Sequence, residues 1–153
     1  MDNFLSPRQK SKTNYLLEKI ISLLINEKSG RVLDLGCGDG DYSVELKDLG
    51  FEVIAADLDE KRFKHRGEIN FKVCDVAEPL PFPDGDFDYV IAAELIEHLK
   101  NPYVAMKEIN RVLKNGGQLI LSTPNVLSLK SRLRYLFEGC YEYFRETPLE
   151  QSK

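Results

Sequence analysis

Four groups of residues in this chain carry the types and spacing that chemistry needs. The first is Asp34-Leu-Gly-Cys-Gly-Asp-Gly40, which sets three glycines at alternate positions. Glycine tolerates positive φ and lets a ligand approach the backbone, and such a turn can aim free amides at a bound group. A dinucleotide-binding turn reads G-x-G-x-x-G. Here Gly36 and Gly38 match, but the third position is Asp41. Asp34, Asp39 and Asp41 would repel a pyrophosphate and welcome a cation. The turn therefore points away from a dinucleotide and towards a nucleoside that carries positive charge. Asp57 and Asp75 form two further points, each closing a short apolar run. Glu94-Leu-Ile-Glu97-His98 is the fourth group. If helical, it places Glu94, Glu97 and His98 on one face by the i, i+3, i+4 rule. Two carboxylates and an imidazole there would make a half-site for Mg²⁺, Mn²⁺ or a similar divalent metal. The plainer reading, to which we give more weight, is a post-strand segment with His98 bonded to backbone. Between the two stands His98 as a general base on a hydroxyl acceptor.

The elements that must position these residues alternate along the chain. Residues 9–28 show helical spacing in Leu16, Leu17, Ile20, Ile21 and Leu24. Short strands are expected at 31–36, 52–57, 70–74, 87–93 and 118–122, and apart from Asn70-Phe-Lys-Val73 they do not alternate apolar with polar residues. Helices are expected from the glycine turn to Leu49, over 59–65, after Asn101-Pro102, and over 127–137. Asn101 is a capping residue and Pro102 suits a first helical position. Val76 to Asp86 reads as loop. This pattern predicts an α/β fold, a doubly wound, mostly parallel sheet with helices on both faces. Ligands of such sheets sit at the carboxyl ends of the strands, near the topological switch point. Gly36–Gly40, Asp57, Asp75 and Glu94 should then face one site.

Composition narrows the classes. The 153 residues hold 21 Lys plus Arg, 25 Asp plus Glu and 2 His, a formal charge of −4. That length suits one domain over 1–153. The mildly acidic balance argues against a broad nucleic-acid footprint. No run approaches the ~18 apolar residues of a membrane span, and the opening residues lack a secretory pattern. Cys37, Cys74 and Cys140 are odd in number and without CxxC spacing, which suits a reducing cytoplasm rather than a disulfide framework.

Val32-Leu-Asp-Leu-Gly-Cys-Gly-Asp-Gly40 resembles motif I of the class I S-adenosylmethionine-dependent methyltransferases. Leu80-Pro-Phe-Pro-Asp-Gly-Asp-Phe-Asp-Tyr-Val90 and Leu113-Lys-Asn-Gly-Gly-Gln-Leu-Ile-Leu-Ser122 resemble later segments of the same family. The likeness spans residues 14–125 and is nearest to the small-molecule branch of ubiquinone- and menaquinone-biosynthesis enzymes and MetW-like proteins. It implies a Rossmann-like fold, S-adenosyl-L-methionine as cofactor and a small-molecule methyl acceptor. It also implies that Gly36, Cys37, Gly38 and Gly40 pack on the methionine part, with Asp34 near its amino group. Asp57 would hold the ribose hydroxyls, Leu58 would lie against the adenine, and Asp75 with Val76 would meet the adenine amino group. Glu94 would lie near the methionine amino group and the acceptor. Tyr15 and Tyr42 are read as core rather than as cofactor contacts. The Glu94/Glu97/His98 spacing also resembles a metal site of small-RNA 2′-O-methyltransferases, but the downstream histidine of that site has no counterpart after His98.

Family members continue past the fifth strand into an antiparallel pair. Only about 30 residues follow Ser122, so the domain is expected to stop short of those strands and leave a sheet edge open to pairing as a homodimer. Tyr135, Phe137, Tyr141, Tyr143 and Phe144 crowd this end. Two rivals accompany the methyltransferase reading: a non-catalytic S-adenosylmethionine-binding protein or inactive fragment, and a nicotinamide-linked oxidoreductase, which Asp41 disfavours.

Overall fold

The computed structural model describes residues 15–125 and 127–138. Five strands build one sheet: β1 (Arg31–Leu35), β2 (Glu52–Asp57), β3 (Asn70–Val73), β4 (Phe87–Ala93) and β5 (Leu113–Ser122). They run in the order β3-β2-β1-β4-β5, every pair parallel. The order reverses between β1 and β4, so the switch point lies where Asp34 sits level with Ala55 and Ile91.

Four helices occur among the described residues, α1 (Tyr15–Leu24), α2 (Asp41–Asp48), α3 (Pro102–Val112) and α4 (Leu129–Glu138), of which α1, α2 and α3 pack on the sheet. Side chains of a strand point alternately to its two faces. Val32, Val53, Ala55 and Ile91 accordingly pack with Ile20 and Leu24 of α1 and Val44 and Leu46 of α2. Leu33, Leu35, Ile54 and Val90 pack on the other face with Ile109 and Val112 of α3. Apolar side chains on both faces of β1, β2 and β4 explain why these strands do not alternate. Each fully buried Leu, Ile or Val there is worth about 1.5–3 kcal/mol. Asp34 falls on the α1/α2 face, which brings its carboxylate to Ser43 of α2.

The first four strands and the α3 start agree with the expected elements, and Asn101 Oδ1 accepts from the Tyr103 amide at 3.2 Å. Three expected elements differ. The first helix ends at Leu24 rather than running to 28. Residues 59–65 are a turn, not a helix. Asp57 Oδ1 accepts from the Asp59 amide at 2.9 Å and Asp59 Oδ1 from the Lys61 amide at 3.0 Å. These side-chain bonds compete with helical ones. The fifth strand begins earlier than expected, at Leu113, and its pairing with β4 slips between Phe87 and Tyr89 around Gly116, whose φ is +82°. Among the described residues β5 is an edge with no strand beyond it. Tyr141, Tyr143, Phe144 and Cys140 lie outside the described residues. No helix among the described residues is long and apolar enough to cross a membrane.

Candidate active site

The carboxyl ends of the strands open into two cavities that share Gly36. The larger, about 570 Å³, is lined by Asp57 and Leu58 after β2, by Cys74, Asp75 and Val76 after β3, and by Leu95 and His98 after β4. The smaller, about 290 Å³, is lined by Asp34, Cys37, Gly38, Asp39, Asp41, Tyr42, Arg62, Ala93 and Glu94. Asp57 and Asp75 thus face one space. The sequence reading set Tyr42 aside, yet it lines the smaller cavity, whereas Tyr15 is exposed. Arg62, Lys100 and Leu95 were not singled out, because charged and apolar residues in loops carry no motif of their own.

The glycine turn is held shut from within. Gly36 and Cys37 amides both donate to the Ala56 carbonyl, at 2.8 and 3.1 Å, and the Gly40 amide donates to Cys37 O at 2.9 Å. The Gly38 amide donates to Asp57 Oδ2 at 2.8 Å. The expectation of free amides aimed at a ligand therefore fails at these four positions. A pyrophosphate needs such donors, so the turn offers it little. At Gly36, φ is +75° and a Cβ would lie 2.8 Å from Leu95 Cδ1. Only glycine lets the turn pass beneath Leu95. Gly40 lines neither cavity. It is buried beneath Phe63 and His65, and its φ of +90° starts α2. These contacts give Gly40 a packing role in the turn.

What the site does offer is negative charge. Asp34 is 1% exposed. Burial pushes its carboxyl up to about 6, against the Ser43 hydrogen bond, and the Asp57 charge pushes it further. Asp57 keeps both oxygens engaged with amides, and each still has a lone pair for a hydroxyl. Asp75 Oδ1 accepts from the Ala77 amide at 2.9 Å, so it shapes its own loop as well as the cavity wall. Leu58 is 66% exposed, an apolar surface set against that cavity. The thiols of Cys37 and Cys74 are no nucleophiles. Burial, then the charges of Asp34 and Asp57, raises Cys37 strongly. Burial, with Asp57 and Asp75, pushes Cys74 up to about 11. The thiolate is thus disfavoured at both positions.

Glu94 has the one positive φ outside glycine among the described residues, +52°. Such a conformation costs about 1–2 kcal/mol. It is held by Ser122, whose carbonyl and hydroxyl accept from the Glu94 amide and whose hydroxyl donates to Glu94 Oε1 at 3.0 Å. The turn-over of the chain here ends any common helical face. Only Ile96–His98 forms a short 3₁₀ turn. Glu94 goes to the smaller cavity and His98 to the larger. The metal half-site of Glu94, Glu97 and His98 does not assemble, and no group of three or more His, Cys, Asp or Glu able to hold a metal occurs among the described residues. Asp88 accepts from Arg31 N and Lys114 Nζ, as a structural residue should.

Known proteins share this arrangement. A family model described as a methyltransferase domain matches residues 8–151. The chain is 33% identical over 113 residues to the ubiquinone biosynthesis O-methyltransferase of Xanthomonas oryzae pv. oryzae, covering 69% of this chain and 47% of that protein. It is 38% identical over 103 residues to the malonyl-[acyl-carrier protein] O-methyltransferase of Erwinia pyrifoliae, covering 65% and 39%. Among solved structures, the PH0226 protein of Pyrococcus horikoshii OT3 superimposes with a TM-score of 0.67 at 32% identity, covering 87% of this chain and 66% of that one. The chain spans about half the length, or less, of these curated relatives. The match over nearly its whole length nevertheless settles its kinship: the chain belongs to the class I S-adenosylmethionine-dependent methyltransferase family.

Proposed function

We propose that this protein binds S-adenosyl-L-methionine across the two joined cavities and transfers its methyl group to a small-molecule acceptor. The observation that carries the proposal is the acid lining of the smaller cavity beside a glycine turn whose amides are already bonded. That ring of negative acceptors suits a sulfonium and an ammonium and repels a pyrophosphate. The cofactor supplies an activated methyl group, and the protein's task is orientation and exclusion of water. Asp57 would hold the ribose hydroxyls, Leu58 and Val76 would flank the adenine, and Asp75 would accept from its amino group. Gly36, Cys37 and Gly38 would leave room for the amino-acid tail, with Asp34 and Glu94 near its ammonium. His98 would take the proton of a hydroxyl acceptor, which is worth about 10²–10⁴-fold in rate.

Relatives named as O-methyltransferases support an oxygen acceptor on a small molecule. The reading of 1–153 as one domain and of the cytoplasm as its compartment belongs to the same proposal, supported by the family match over 8–151 and by cysteines without disulfide spacing. The test is transfer of labelled methyl from S-adenosylmethionine over a panel of quinol, amine and RNA acceptors. Turnover on a quinol or another small hydroxyl compound is the expected result. Tight cofactor binding with no turnover on any of them would favour a non-catalytic binding protein, and turnover on RNA alone would overturn the small-molecule reading.

A further inference from the structure

One cation lines the smaller cavity. Arg62, in the turn after β2, stands with Asp34, Asp39, Asp41 and Glu94 around that space. Its Nη2 lies 3.3 Å from where a Cβ on Gly38 would be, so the guanidinium rests over the glycine turn. Two nearby cations are already matched. Lys64 Nζ pairs with Asp39 at 3.0 Å, and Arg66 pairs with Glu60 at 2.9 Å. The Arg62 amide donates to the Asp59 carbonyl at 3.2 Å, but no hydrogen bond or ion pair to another described residue holds its guanidinium. A planar fork of donors beside several acids, yet bonded to none of them, is suited to a carboxylate brought by the ligand. We propose that Arg62 binds the α-carboxylate of the cofactor's amino-acid tail, while the acids around it take the tail's ammonium and the sulfonium. The inference rests on the cofactor proposed above and assigns the contact that distinguishes it from nucleosides without that carboxylate.

The full chain is titrated by calorimetry with S-adenosylmethionine and with its decarboxylated analogue, which keeps both positive charges. The expected result is that the unaltered protein prefers S-adenosylmethionine at least tenfold. Arg62→Met should erase most of that preference by weakening S-adenosylmethionine alone, and Arg62→Lys should restore part of it. Arg62 is exposed, so its truncation leaves the packed core intact. A preference undiminished in Arg62→Met, or equal losses for both ligands, would overturn the assignment while leaving the cofactor in place. Failure of the unaltered protein to bind either ligand would instead strike the cofactor proposal itself.

Discussion

The two ends of the sheet hold the same residue types in opposite states. At the amino ends, about 540 Å³ of open cavity is lined by Glu52, Asp86, Asp88, Arg31 and Lys114. Those charges are mutually matched. Arg31 Nη1 meets Asp86 at 2.8 Å, and Asp88 Oδ2 takes both the Arg31 amide and Lys114 Nζ at 2.8 Å. The Lys114 hydrogen bond, then the Arg31 amide, hold the Asp88 carboxyl below its ordinary range. At the carboxyl ends the acids outnumber their cations, and burial drives Asp34 the other way, up to about 6. A fold's own scaffolding satisfies its charges. A cavity that leaves Asp34 and Glu94 without an ion pair, and holds Glu94 at positive φ, is suited to a positively charged ligand.

The sharpest way to break this contrast is to neutralise one acid at each end. Asp34→Asn keeps an acceptor for Ser43 and removes the buried charge. A raised carboxyl contributes stability fully only below its ordinary value of 3.8 and loses it as pH rises through about 6. Asp34→Asn should therefore be more stable than the parent by on the order of 2–3 kcal/mol at pH 8 in urea unfolding, with the gain shrinking towards pH 4. Its affinity for S-adenosylmethionine should fall at the same time. A loss of stability at pH 8 would contradict the unmatched charge.

A second effect follows from the same group without mutation. Binding a cation requires Asp34 ionised, so affinity for S-adenosylmethionine should rise up to about tenfold per pH unit from pH 5 and level off above the free-protein value of about 6. Calorimetry in buffers of different ionisation enthalpy should show proton release near pH 5.5. A flat profile would remove Asp34 from the site.

The smallest effect is expected at the amino ends. Asp88→Ala loses the Lys114 pair and the Arg31 amide's acceptor. Asp88 is about one-third exposed, at 36%, so solvent screening limits the cost to about 1 kcal/mol or less. That cost should vanish as pH falls, because a depressed carboxyl stabilises only while ionised. Cofactor affinity should stay unchanged within twofold.

The legibility of the two ends in sequence differs for a physical reason. Strand runs such as Val32 to Leu35 and Phe87 to Ala93 are apolar on both faces, and Asn101-Pro102 and Gly50 punctuate helices by local chemistry, so the doubly wound order was readable. Asp57 and Asp75 were readable because strand ends converge in such a sheet. Residues 59–65 were misread because charged residues at helical spacing look the same whether or not Asp57 and Asp59 side chains take the amides first. Arg62 and Tyr42 enter the cavity through that turn and through the exit angle of α2, which no local pattern encodes. The 94–98 metal reading failed for a comparable reason. Ser122, 28 residues further on, turns Glu94 away from His98.

The central claim is that the acid-edged turn holds a sulfonium nucleoside, its ribose fixed by Asp57, and the most direct measurement is calorimetric titration of the full chain and of Asp57→Ala with S-adenosylmethionine and S-adenosylhomocysteine, in the presence and absence of NAD. The predicted result is one site per chain, no competition from NAD, and a loss of ~1.5–3 kcal/mol in Asp57→Ala. Unchanged affinity in Asp57→Ala, or displacement of S-adenosylhomocysteine by NAD, would contradict it.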